Sequence, residues 1–67
     1  MTDFRFANHG SICILAPLTE EASTWVEEHI PEDAQRWAGG IVVEPRYVAD
    51  IRDGIDSDGL TVEWVGF

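Results

Sequence analysis

Apolar and polar positions alternate in two segments of the chain and form uninterrupted apolar runs in two others. Residues 4–7 and 60–64 alternate with a period of two, which is typical of strands with one buried face, and Leu60, Val62 and Trp64 are expected to point inward. Residues 12–16 form an apolar run that predicts a strand covered on both faces, and residues 41–43 predict a short buried strand. Because a turn-like segment at residues 8–11 joins the first two strands, they are predicted to form a β-hairpin.

Two further segments follow the period of an α-helix. In residues 20–30, one side of the predicted helix carries the apolar or aromatic positions Ala22, Trp25, Val26, His29 and Ile30. Thr19 is suited to cap this helix and Pro31 to end it. A second helix is predicted from Pro45 to about residue 57, with Gly59 just beyond its end and an inward face of Tyr47, Val48, Ile51 and Ile55. Residues 32–37 are expected to add a short helical turn.

The resulting order of elements is ββαβαβ, which predicts an α+β fold. Two layers would bury every apolar stripe if one sheet of about four strands carried both helices on the same face. A chain of 67 residues is too short to divide into two cores, so residues 1–67 are expected to form a single domain.

Charge narrows the possible functions. The chain has 13 acidic residues and four basic ones, all arginine, for a net charge of -9. Nucleic acid and anionic membranes are bound through positive surfaces, so we expect neither as a direct partner. A hydrophobic content of 45% with three tryptophans excludes a disordered tail. The single Cys13, the absence of a signal-peptide pattern and short apolar runs predict a soluble cytoplasmic protein.

The candidate nucleophile and metal sites each have a simpler structural interpretation. Cys13 lies in the most apolar stretch of the chain, which favours an inert buried thiol. Residues 56–59 resemble the middle of a calcium loop, but the template then places Gly54 and Val65 at positions that must supply oxygen ligands. The spacing of Cys13 with His9 and His29 matches no common zinc site, and His29 is expected to pack at the edge of the core. We expect neither a metal nor a cofactor.

The chain also lacks the features of an enzyme. The adjacent pairs at residues 20–21 and 27–28 lie on a solvated helix face, where no concave pocket is expected to desolvate a carboxyl for acid–base catalysis. The glycine pair at residues 39–40 precedes a strand rather than a helix, so it does not form a phosphate-binding loop. No catalytic residue is therefore predicted.

The acidic residues themselves form the strongest candidate site. The outward sides of both predicted helices and the segments after them would make one acidic surface, defined here as Glu20, Glu21, Glu27, Glu28, Glu32, Asp33, Asp50, Asp53, Asp56 and Asp58. Residues three apart on a helix rise about 4.5 Å, and duplex DNA carries one charge per about 1.7 Å of axis. Two acidic helices side by side approach that charge density, so a basic DNA-binding groove could accept them. Glu27, Glu28, Asp50 and Asp53 would lie in the middle.

Two other interpretations of the acidity stay open. Acidic helix faces are often only solvated, and an excess of acid without lysine also fits a salt-adapted proteome. In that case the chain would be a structural domain that associates through residues 65–67 or an open strand edge. Alternatively, the same surface would inhibit another basic partner, such as a restriction enzyme, a nuclease or a toxin.

Several segments together resemble small acidic proteins of phages and mobile elements, and in particular anti-CRISPR inhibitors of type I effectors, including type I-C. The segments are NHGSI (8–12), PLT (17–19), PEDAQRW (31–37), GGIVVEPRY (39–47) and DGLT (58–61). The resemblance implies an inhibitor that occupies the DNA-contacting surface of a Cascade-type complex, near where the protospacer-adjacent motif is read. We expect the protein to act as a monomer. It assigns no individual functional residue.

Overall fold

The computed structural model describes residues 2–37 and 39–67, which form five strands and two helices. In chain order the elements are β1 (Phe4–Asn8), β2 (Cys13–Pro17), α1 (Glu20–His29), β3 (Arg36–Trp37), β4 (Gly40–Val43), α2 (Val48–Ser57) and β5 (Val62–Val65). A single 3₁₀ turn, Pro45–Tyr47, leads directly into α2. The α+β class and the two helices predicted from the sequence are confirmed.

The strands form one mixed sheet in the order β3-β4-β2-β1-β5. The pairs β1–β2, β2–β4 and β3–β4 are antiparallel, whereas β1 and β5 are parallel. The predicted hairpin is present, with Phe6 opposite Leu15 and Asn8 opposite Cys13. The first and last strands of the chain are therefore neighbours in the sheet.

One strand was not expected. Residues 32–37 were predicted to add a helical turn, but only a tight turn at residues 32–33 forms, and Arg36–Trp37 then becomes β3. Trp37 pairs with Gly40, and Gly39 reverses the chain with a φ of +80° that glycine adopts readily. The sheet therefore has five strands rather than about four, and the added strand lies at its edge.

The core lies on one side of the sheet, as alternation along β1 predicts. β2 was predicted to be covered on both faces, and Ile14 on its other face is only 4% exposed although no described helix packs there. Phe4 and Phe6 are fully buried, and Leu15 lies opposite Phe6 on β2. Cys13 on β2, with Ile41 and Val43 on β4, completes the layer. Ala22, Trp25 and Val26 of α1 and Ile55 of α2 belong to the same cluster, so both helices cover the same face. The opposite face carries Arg5, Ala7, Ile14, Ala16 and Val42, and in the described chain no helix packs over it.

The beginning of α1 is fixed as the sequence predicts. The Thr19 hydroxyl accepts a hydrogen bond from the Ala22 backbone N–H at 3.1 Å and donates one to Asp3 Oδ1 at 2.9 Å. Asp3 Oδ2 in turn accepts the backbone N–H of Thr61 at 3.1 Å. One carboxylate thus connects the start of the first helix to the residue before β5, which ties the two layers together.

Candidate acidic binding surface

The glutamates of α1 are exposed because the other side of this helix is buried. Ala22, Trp25 and Val26 face the sheet, and the acidic positions Glu20, Glu21, Glu27 and Glu28 are all exposed. The two in the first turn also lie at the positive end of the helix dipole, which favours negative charge there. Glu32 and Asp33 continue the exposed acidic residues into the turn that follows.

The aspartates of α2 are exposed for the same reason. Ile55 is fully buried and Val48 and Ile51 are half-buried, so Asp50, Asp53 and Asp56 face solvent. Asp53 differs from the other two, because its Oδ1 lies 3.0 Å from Arg52 Nη2. This neighbouring guanidinium offsets part of the negative charge at one of the four positions expected in the middle of the surface.

The two helices touch through Trp25 and Gly54, and this contact places their acidic sides in the same layer. A Cβ atom at position 54 would lie 3.3 Å from Cζ2 of the Trp25 ring, so glycine allows the helices to approach closely. The indole also packs edge-on against Phe4, with 5.7 Å between ring centroids. The expectation that both helices share one side of the sheet is thereby confirmed.

Asp58 has a structural partner that the sequence did not indicate. Its Oδ2 accepts a hydrogen bond from the Trp25 indole N–H at 2.7 Å and lies 3.6 Å from His29 Nε2. The His29 ring stacks on the buried Trp25 indole, with 4.3 Å between ring centroids, and the histidine side chain is almost half exposed. His29 therefore packs at the edge of the core, as predicted. Asp58 therefore fastens the end of α2 to α1, and its carboxylate is less available to a partner than those of Asp50 or Asp56.

Two of the four arginines pair with carboxylates outside the acidic surface, whereas Arg52 lies beside Asp53 and Arg36 lines the same hollow as Glu27. Arg5 pairs with Glu63 at 2.8 Å on the uncovered face of the sheet, and Arg46 pairs with Glu44 at 2.9 Å before α2. These pairs are exposed and neutralise each other locally. Apart from Arg52, the described ion pairs of arginine thus involve carboxylates outside the acidic surface.

Cys13 is buried, as its apolar surroundings predicted. It is 1% exposed, and burial raises the pKa of its thiol, which keeps the sulfur protonated. A protonated and inaccessible thiol is a poor nucleophile, so this residue serves packing.

The alternation of β5 predicted an inward Trp64, and this is only partly correct. Its ring stacks on Phe6 with centroids 5.4 Å apart, yet the residue is 42% exposed because β5 is an edge strand. Phe67 packs edge-on against Trp64 at 5.0 Å. An exposed aromatic pair therefore lies beside α2, where alternation alone gave no sign of a surface feature.

Neither helix in the described part of the chain has the length and apolar character needed to cross a bilayer. Comparison with protein-family models, curated proteins and solved structures gives no match for this chain.

Proposed function

We propose that this protein is an anti-CRISPR inhibitor that mimics DNA. It would bind the basic DNA-contacting surface of a type I effector, with type I-C as the first candidate, and block recognition of target DNA. The observation that carries the proposal is the exposure of carboxylates along two adjacent helices of one layer. The resemblance of several sequence segments to this class of inhibitor gives independent support.

Electrostatics explains how such a surface would compete with DNA. An effector holds target DNA through arginine and lysine side chains, and these form equally directional hydrogen bonds with carboxylates. A net charge of -9 would steer the protein to a positive channel and speed association. The inhibitor acts as a monomer in the bacterial cytoplasm, and it needs no cofactor and no catalytic group, because occupancy alone blocks the DNA.

A gel-shift competition assay tests the proposal. A purified type I-C effector is incubated with the protein and then with a labelled target DNA duplex that carries the protospacer-adjacent motif. We expect the shifted band to disappear as the protein is added in excess. If the duplex still binds the effector fully at large excess, the proposed mechanism is wrong for that effector.

Two double charge reversals identify the surface involved. Glu28→Arg with Asp50→Arg alters two exposed positions predicted to lie in the middle of the acidic surface, and Glu44→Arg with Glu63→Arg alters exposed positions outside it. Each double variant changes the net charge of -9 by +4, to -5. We expect the first variant to lose competition by at least about tenfold, about 1.4 kcal/mol, and the second to compete nearly as the parent protein does.

The alternatives are separated by the same reagents. In one outcome the protein leaves the effector unaffected but binds a restriction enzyme, a nuclease or a toxin. If the double variant Glu28→Arg with Asp50→Arg abolishes that binding, the acidic surface serves another basic partner. If both double variants behave as the parent in every assay, the acidity serves solubility alone.

A further inference from the structure

An open groove lies between α2 and the end of the sheet. It has a volume of about 560 Å³, within the range of about 300–1,000 Å³ that is usual for binding pockets. Its walls include Pro45, Val48, Ala49 and Arg52 on one side and Trp64 and Phe67 on the other. We call this feature the aromatic groove.

The aromatic wall of the groove is held in place by ring contacts. Phe6, which is fully buried, stacks on Trp64 and packs edge-on against Phe67, with centroid separations of 5.4 and 6.1 Å. Trp64 and Phe67 are nevertheless 42% and 59% exposed. Because the rings are anchored from below, a guest could use their area without first ordering them, and this lowers the entropic cost of binding.

The groove continues into the acidic surface along α2. Ala49 and Arg52 line it. Asp53 lies four residues after Ala49, and Asp56 lies four residues after Arg52, so each aspartate is on the same side of the helix as the residue that it follows. Arg52, the basic residue of the wall, lies 3.0 Å from Asp53 and pairs with it, so Asp56 is the carboxylate on this side of α2 that is open to a cation of the partner. An occupant of the groove would therefore meet apolar rings at one end and carboxylates at the other, which suits an apolar side chain flanked by arginine or lysine.

We propose that the aromatic groove receives a large apolar side chain of the basic partner while neighbouring cationic side chains of the partner pair with α2. The inference rests on the proposed function and adds an anchoring site to it. Long-range charge mainly accelerates encounter and is weakened by salt. Residence of a complex depends on a few desolvated apolar contacts, and the rings of Trp64 and Phe67 in the groove offer area for them.

Filling the groove with a negative charge separates anchoring from electrostatics. Ala49 is exposed and lies in the first turn of α2, so Ala49→Glu is compatible with the helix and its dipole. The matched control is Ser57→Glu, which adds the same charge to the exposed end of α2 outside the groove. Attraction to a basic partner alone would make both variants bind as tightly as the parent protein or more tightly.

The measurement is dissociation of each protein from an immobilised type I-C effector. We expect Ala49→Glu to dissociate at least about tenfold faster than the parent and Ser57→Glu to dissociate no faster. Phe67→Ala, which removes an exposed part of the wall, is expected to dissociate faster as well. Circular dichroism confirms that each variant is folded.

The two proposals fail in different ways. In one case the parent and Ser57→Glu bind the effector, and Ala49→Glu and Phe67→Ala dissociate from it as slowly as these two proteins. The anchoring site is then wrong, and the inhibitor function stands. If the parent protein itself shows no binding, the proposed function is wrong and the anchoring inference is overturned with it.

Discussion

Single carboxylates perform different tasks in this protein, although most are exposed to solvent. Asp3 accepts hydrogen bonds from Thr19 and from the backbone of Thr61, and Asp58 accepts one from Trp25. The hydrogen bonds from Thr61 and Thr19 lower the pKa of Asp3. These two residues stabilise the fold, whereas Asp50 and Asp56 belong to the exposed acidic surface that we propose for binding.

The lowered pKa of Asp3 predicts a specific acid sensitivity. A carboxyl whose pKa is lower in the folded state stabilises the fold fully above the pKa of an unfolded aspartate, and it loses this effect as pH falls through the folded pKa. Urea unfolding of the parent and Asp3→Asn at a series of pH values is the test. We expect the stability difference between them to be largest at neutral pH and to shrink in strong acid. A difference that does not change with pH would contradict this role of the charge.

The Asp58–Trp25 hydrogen bond predicts that removing the side chain of Asp58 lowers the free energy of unfolding more than removing that of Asp56. Asp58→Ala leaves the indole N–H without its acceptor and is expected to lower the free energy of unfolding by about 1 kcal/mol. Asp56→Ala removes the same charge from an exposed position of α2 and is expected to leave stability unchanged or slightly raised, because repulsion falls. Chemical denaturation measures both. Equal effects of the two substitutions would show that the hydrogen bond contributes nothing.

At the scale of elements, contacts between strands and helices impose limits that propensity does not indicate. Gly40 lies in β4, and a Cβ there would meet the Ile14 side chain and lie 2.9 Å from the carbonyl oxygen of Leu15. Gly54 lies inside α2, where glycine costs about 1 kcal/mol of helix propensity relative to alanine. Its missing side chain lets the Trp25 ring approach the helix. The two glycines therefore differ in how much of a side chain they could accept.

Alanine substitutions measure this difference between the two glycines. Gly40→Ala forces the added methyl group against backbone and is expected to destabilise the protein by about 1–3 kcal/mol. Gly54→Ala gains helix propensity while pressing only on the edge of a ring, so its net effect is expected to stay within about 1 kcal/mol. Thermal unfolding gives both values. A Gly54→Ala variant less stable than Gly40→Ala would contradict the predicted difference between strand and helix.

The elements could be predicted from sequence to the extent that their signals were local. The two helices and strands β1 and β5 follow from apolar periodicity, β2 and β4 follow from uninterrupted apolar runs, and the cap at Thr19 follows from residue type alone. The two-residue strand β3 escaped prediction because its only partner is β4, so nothing within its own residues distinguishes it from a turn. The partial exposure of Trp64 likewise depends on β5 being an edge strand, which is a property of strand order.

At the scale of the whole molecule, crowded negative charge opposes folding, and under the proposed function the same charge attracts a basic partner. The sequence located the acidic residues on two helices and predicted correctly that these helices share one side of the sheet. It could not predict that Asp58 holds the helices together or that an aromatic groove lies beside α2, because both depend on residues far apart in the chain. Charge placement was predictable, and long-range packing was not.

The stability of the fold and its proposed binding to the effector are expected to respond to salt in opposite directions. Raising sodium chloride screens repulsion among the carboxylates and is expected to stabilise the protein, with each kcal/mol gained raising Tm by about 4–8 °C. The same screening is expected to weaken competition with DNA for the effector if the proposed function is correct. Scanning calorimetry and gel shifts over the same salt series measure the two effects. A Tm that falls or stays constant as salt rises would contradict the role assigned to repulsion.

The parallel pairing of β1 with β5 has a consequence for biosynthesis. Arg5 and Glu63 are 58 positions apart in sequence, and their strands become neighbours only in the finished sheet. Until β5 has been synthesised, the edge of β1 that faces away from β2 has no partner strand. Pairing of β1 with β5 is therefore expected to be a late step of folding, because it joins residues from opposite ends of the described fold.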